Sequence, residues 1–468
     1  MKKKILLYGL LMGMAACVLG GCKKVSEKED VVTLRIGNWE EYIDYGDWDS
    51  DETIELEDGT KIIGENSMID DFEEWYEKKY HQKVKVEYST FGTNEDLYNQ
   101  IVIGDTFDLV CPSEYMIMKF LSEKKLQPFS KEFYDASKEN NYYAKGVSPY
   151  ISGVFSDLKI KGKVLKDYAA GYMWGTLGFV YNPDLVKEED TRTWKIFQND
   201  KYQKQITIKD SVRDALFCAQ GIISGEEASK PSFRNQKDYH EKLAKMMNDT
   251  SQENIDKVED VLSQIKDNVY SFETDSGKAD MVSGKVSVNM QWSGDGVYSI
   301  QQAAEDDCTL CYAVPEECTN LWFDGWCMLK DGIQEDSRKQ QAAEAFINFL
   351  SRSDNVIRNM YYIGYTSVIS GGGDNQIFQY IDYCYGAEDE KDAVSYPLGY
   401  FFSGKEDDKK YVLSAPKEEL KGALFAQYPT KEVITRSAVM GYFDRKENDR
   451  VSRMWTNVRC FDLKKLFG

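Results

Sequence analysis

A two-domain α/β fold is what this sequence predicts, and three observations predict it. At 468 residues the chain exceeds what one compact core serves, so two domains are expected. Strand and helix patterns alternate from Val32 to Cys111, the order that builds a mostly parallel sheet flanked by helices. A second alternation of the same kind starts at Tyr172, which suggests paired lobes.

The first alternation opens with residues 32–36, where apolar and polar residues alternate as in a half-buried strand. Met68, Phe72, Trp75 and Tyr76 then share one face of a helix over 68–80. A strand at 84–88, a helix at 94–101 and an apolar strand at 107–111 complete the unit. Ligands of such sheets sit beyond the carboxyl ends of the strands. Two sequences lie there, Asn38-Trp39-Glu40-Glu41-Tyr42 and Pro112-Ser113-Glu114-Tyr115. Residues 44–64 are acidic, carry three glycines and lack periodicity, so they read as an inserted surface loop. Residues 129–167 form another irregular, tyrosine-rich stretch. The second alternation has strands at 172–183, 206–208, 286–291 and 310–314. Its helices start near Ser211 and cover 239–247, 255–265, 337–350 and 355–362.

The N-terminus has the form of an export signal. Lys2-Lys3-Lys4 precede an apolar run over 5–19, which ends in Leu19-Gly20-Gly21-Cys22. That ending resembles a bacterial lipobox. The resemblance implies a signal peptide at 1–21, lipid on Cys22 and a charged tether at 22–30. A transmembrane anchor is disfavoured, because the run falls short of the roughly 20 residues that span a bilayer.

Composition narrows the partners. A net charge of −21 argues against nucleic acid, which demands a basic surface, and favours cations. Aromatic residues make up 13% of the chain, enough for some rings to line a site as well as a core. The two histidines, His81 and His240, are far apart, so no histidine-based catalysis or metal centre is expected. Cys308, Cys311, Cys318 and Cys327 do not match a zinc-ligand spacing and read as buried thiols, with room for one disulfide whose pairing the sequence does not give. Neither a metal nor a cofactor is expected.

The most informative stretch is Leu321-Trp322-Phe323-Asp324-Gly325-Trp326, three rings around one carboxylate. Ring faces attract ammonium groups through their quadrupole, and a carboxylate takes the charge. A bland alternative leaves the rings in the core and Asp324 as a turn residue. The other places where rings and acids coincide decide between them. In order these are the two sequences above, Trp174-Gly175-Thr176, Asp210-Ser211-Val212-Arg213-Asp214, Trp292-Ser293-Gly294-Asp295 and Ile363-Gly364-Tyr365.

Taken together, that order resembles the polyamine-binding proteins of bacterial ABC importers, the spermidine and putrescine receptors. The resemblance covers nearly all of the mature chain. It implies a two-lobed periplasmic-binding-protein fold of type II, with the ligand in the interlobe cleft. Lobe 1 would comprise 31–173 plus 324–370, and lobe 2 would comprise 174–323 plus 371–468. It implies a monomer held outside the cytoplasmic membrane by the lipid on Cys22. The partners would be a polyamine and ABC permease subunits, and the chain itself would catalyse nothing. By similarity Trp39, Tyr42, Tyr115, Trp292, Trp322 and Tyr365 wall the ligand. Glu41, Asp214, Asp295 and Asp324 accept its ammonium groups, and Ser113 adds a polar contact.

Two departures bear on specificity. Spermidine receptors commonly carry an acid where Ser211 stands, whereas Trp292-Ser293-Gly294-Asp295 resembles the Trp-x-Gly-Asp of putrescine receptors. Spermidine against putrescine therefore stays open. Three rival readings exist: a receptor for another organic cation, a ferric-iron receptor using Tyr361-Tyr362, and a secreted glycosidase using paired carboxylates.

Overall fold

A computed structural model describes residues 31–49, 52–389 and 391–460. The export signal, Cys22 and the tether lie outside them. One mixed sheet of 12 strands runs through the molecule. At one end, Val32–Trp39 lies between Val84–Phe91 and Leu109–Val110, all parallel. At the other, Ile206–Lys209 lies between Ser271–Glu273 and Val288–Trp292, again parallel. Two long strands join these units, Ala170–Tyr181 and Thr319–Leu329. Each pairs antiparallel with the other and with its flanking parallel unit.

The α/β fold of the expected class is thus built on one continuous sheet, parallel at both ends and antiparallel in the middle. The reason lies in connectivity, because the long strands carry the chain between the units and run in opposite senses. Every residue of both is buried. Strands covered on both faces read as unbroken apolar runs and show no alternation. Their pairing slips between Asp324 and Gly325, so that Tyr172 is the extra residue on the partner strand. Such a bulge kinks the sheet and re-aims side chains.

Local chemistry sets the helices. Ser67 caps Met68–Tyr80 by accepting from the Asp70 amide, and His81 ends it in the left-handed conformation with φ 52°. Met68, Phe72 and Tyr76 form its buried face. Ser211 likewise caps Val212–Ser229 through the Asp214 amide. The stretch 129–167 is less irregular than expected, with helices at Tyr142–Gly146 and Pro149–Asp157. Residues 376–428 pack against the long strands and their neighbours. Phe401 stacks on Trp174 and Tyr400 meets Tyr150, while Phe425 reaches Tyr312.

The acidic insertion is anchored. It forms a two-stranded ribbon, Ile54–Glu55 with Lys61–Ile62, whose Ile54 and Ile62 are buried. Trp48 packs on Tyr361 and Tyr45 on Tyr362, both on helix Ser353–Ile363. From the same helix Arg358 donates to Asp44, to Asp71 and to the Asn66 carbonyl. Asp44 is fully buried, and its other oxygen accepts from the Gly46 amide and the Trp48 indole.

Candidate functional site

Four strand-to-helix corners bring the candidate residues together, two from each parallel unit. Trp39 ends the first strand, and Ser113 starts helix Glu114–Ser122 just after Leu109–Val110. Asp214 lies in the first turn after Ile206–Lys209. Asp295 lies in the first turn of Ser293–Glu305, directly after Val288–Trp292. Strand Thr319–Leu329 carries Trp322 and Asp324 through the middle. Tyr365 follows Gly364, which ends the preceding helix with φ 75°.

Asp324 is the centre. It is 7% exposed, with one oxygen accepting from the Ser113 hydroxyl and the other from the Tyr42 hydroxyl, each at 2.8 Å. Asn94 supports this corner by donating to Ser113 Oγ at 3.1 Å and to Tyr115 Oη at 2.9 Å. Tyr42 packs edge-on against Tyr365, and Tyr365 against Trp322, with centroids 5.3 and 5.7 Å apart. Burial pushes the Asp324 carboxyl up to about 6, although both hydroxyls favour its ionised form. No lysine or arginine pairs with it among the described residues. Glu114, next along the chain from Ser113, is fully buried and accepts from the Phe323 amide. Burial and the nearby Asp324 push its carboxyl well above the carboxylate range.

Asp295 has the opposite surroundings. It accepts from Tyr365 Oη at 2.9 Å and pairs with Lys209 Nζ at 3.3 Å, with Lys278 Nζ at 3.8 Å. Burial opposes its charge, but the two ammonium groups and the tyrosine outweigh burial and hold its carboxyl below the usual value. Trp292 donates from its indole to Asp214 at 3.2 Å, and its ring lies 4.8 Å from Lys209 Nζ. Burial raises the Asp214 carboxyl, against the pull of Ser211 and Trp292. Arg213 stacks on Tyr115 with its guanidinium 4.2 Å from the ring centroid, and so joins the two units.

This arrangement can hold an organic cation between rings and carboxylates. The model of bacterial extracellular solute-binding proteins matches residues 67–379. The chain belongs to that family. Among relatives of this solute-binding protein is the putrescine-binding periplasmic protein PotF of Escherichia coli (strain K12). It is 25% identical over 367 residues, spanning 77% of this chain and 83% of PotF. The putrescine-binding periplasmic protein SpuD of Pseudomonas aeruginosa (strain UCBPP-PA14) is 24% identical over 355 residues, 73% of this chain and 79% of SpuD. Among solved structures, a putative spermidine/putrescine ABC transporter protein of Listeria monocytogenes shares the fold. Its TM-score is 0.59 at 20% identity, over 92% of this chain and 99% of that one. The spermidine/putrescine substrate-binding protein PotD of Streptococcus pneumoniae gives 0.57 at 21%, over 92% and 98%.

In this solute-binding protein Tyr42, Ser113, Trp322, Asp324 and Tyr365 form one connected group, linked through Tyr365 to Asp295. Asp214 and Trp292 pair beside it, and Trp39 packs on Phe91 at 4.8 Å. Glu41 stands apart, exposed with φ 52°. The ring cage read around Asp324 changes membership. Along a strand, side chains alternate faces, so Phe323 points away and packs on Phe155. Beyond the bulge Trp326 is buried against Tyr172 and Phe346. Tyr42 and Tyr365 take their places.

Sequence reasoning missed Lys209, Lys278, Arg213, Glu114 and Asn94. The available signal was Lys209, a lysine closing an apolar strand just before Asp210-Ser211. Among the described residues no group of three or more His, Cys, Asp or Glu side chains is placed to hold a metal ion, and no disulfide joins the eight described cysteines. Gly294 permits the close approach of Tyr365, since a Cβ there would stand 2.5 Å from the ring. Gly294→Ala is expected to displace Tyr365 from Asp295 and to weaken ligand binding several-fold, read by calorimetric titration.

Proposed function

We propose that this protein is an extracytoplasmic receptor that binds a polyamine-class amine, spermidine, putrescine or a close derivative, and delivers it to an ABC permease. The observation that carries the reading is Asp324, a buried carboxylate held by two hydroxyls beside aromatic rings, with no lysine or arginine among the described residues paired to it. A buried acid of that kind gains most from a cation supplied from outside. Ring faces beside it add roughly 0.5 to 2 kcal/mol per cation–π contact. Relatives named for putrescine binding support the same class.

The reading assigns the chain no catalysis, a lipid on Cys22 as its anchor and a monomeric state. Its lobes are taken as 31–173 plus 324–370 and 174–323 plus 371–468. Ligand would favour the closed form through contacts made only there. The ferric-iron alternative loses its main support, because Tyr361 and Tyr362 pack against Trp48 and Tyr45 of the insertion.

Calorimetric titration of the mature protein tests this directly. The panel is putrescine, spermidine and their mono-N-acetyl forms, with free lysine as control, at two salt concentrations. One-to-one binding of at least one amine in the micromolar range or tighter, surviving salt, is expected. Weak binding of every cation that salt erases would leave only a diffuse acidic surface.

A further inference from the structure

Lys209 is an unusual resident of a cation-binding cleft. It is 1% exposed, and its ammonium donates to the Thr274 carbonyl at 3.1 Å and to Asp295 at 3.3 Å. Glu273 stands 3.5 Å away, and the Trp292 ring lies 4.8 Å from the nitrogen. Two acids, a carbonyl and an indole face are the surroundings expected for an ammonium group of a polyamine. Here the protein's own side chain fills them. Lys278 reinforces the point, pairing with Asp275 at 3.0 Å and lying 3.8 Å from Asp295. At this end of the cleft Lys209 and Lys278 stand against Asp295 and Glu273, with Asp275 exposed at the edge and Asp214 held by the Trp292 indole. Asp324, in contrast, has only hydroxyl donors.

A second ligand ammonium at Asp295 would meet two fixed positive charges within a few ångströms, in a site too buried to screen them. A neutral acceptor would fare better. The Lys278 side chain is 26% exposed, leaving its ammonium reachable by a carbonyl oxygen. The buried indole N–H of Trp322, beside Tyr365, has no acceptor among the described residues. A protonated diamine has no acceptor to give it, whereas an amide does.

We infer that Lys209 is a built-in occupant of the far subsite, so that the cleft takes an amine with one ammonium group, seated at Asp324, and an uncharged amide end: a mono-N-acylated diamine. This rests on the receptor reading above and narrows it.

Wild-type protein titrated with N-acetylputrescine and with putrescine decides the matter. N-acetylputrescine is expected to bind at least tenfold tighter. Equal or tighter binding of putrescine would overturn the inference and leave the receptor reading standing. Saturable binding of neither, nor of spermidine, would overturn both. Lys209→Met should shift the ratio at least tenfold toward putrescine by freeing Asp295 and Glu273, and an unchanged ratio would count against the assignment. Should that variant fail to fold, the wild-type ratio still decides, and the more exposed Lys278→Met gives a second reading of the same shift.

Discussion

Asp324→Asn is expected to lose at least tenfold in affinity for its best amine while keeping the fold. Tenfold corresponds to about 1.4 kcal/mol, less than is usual for truncating one partner of a buried charged hydrogen bond. The asparagine keeps the size of the side chain, and the Ser113 and Tyr42 hydroxyls can each serve as donor or acceptor. Unfolding without ligand separates binding from folding. The native carboxyl titrates at about 6, above its unfolded value, so the folded chain holds its proton more tightly. Its contribution to stability is therefore full at pH below about 4 and is lost as pH rises through about 6. At pH 7.5 the ionised Asp324 costs roughly 3 kcal/mol, since each tenfold gain in proton affinity on folding is worth about 1.4 kcal/mol. The Asn variant without ligand should accordingly melt no lower than wild type at that pH. Binding gives a further signature. Protons compete with the ammonium group, so wild-type affinity should fall close to tenfold for each pH step of one below about pH 6 and stay level above it. The variant should lack that slope. Unchanged affinity at pH 7.5 would remove Asp324 from the site.

Arg358→Met is expected to be the most destabilising single change outside the cleft. Removing the guanidinium leaves Asp44 fully buried without its cation, which costs about 3–5 kcal/mol. Asp71 and the Asn66 carbonyl lose their partner at the same time. Thermal unfolding should show a clear fall in midpoint, and limited proteolysis should find new cuts within 44–64. Asp44→Asn combined with Arg358→Met should recover part of the loss, because the stranded charge is gone. An undiminished midpoint in the single variant would mean that the insertion holds without the clamp.

How much of this was legible depended on how local the cause is. Helix Met68–Tyr80 was readable to its ends, because Ser67 and the spacing of Met68, Phe72 and Tyr76 act within the segment. The corner holding Ser113 was readable from its place at the carboxyl end of a strand, whereas Asp214 and Asp295 were singled out only through the family resemblance. The long strands were harder, since burial on both faces erases alternation and no local feature announces the slip at Asp324. Lys209 was illegible as an occupant, because a lysine at a strand end ordinarily marks the return to solvent. Only the arrival of Asp295 from 86 positions away makes it an ion pair. The insertion was opaque for the same reason, as Asp44 and Arg358 are 314 positions apart.

Two contacts beside the site pair a charge with a neutral group. Arg213 meets a neutral ring in Tyr115, and Asp295 meets a neutral hydroxyl in Tyr365, whereas the ion pairs of Lys209 and Lys278 stay within one unit. Dissolved ions screen charge against charge far more than charge against quadrupole or dipole. For a strongly acidic extracytoplasmic chain these two contacts would then depend little on the salinity of the medium. How long a captured solute stays would be set by the protein and its cargo.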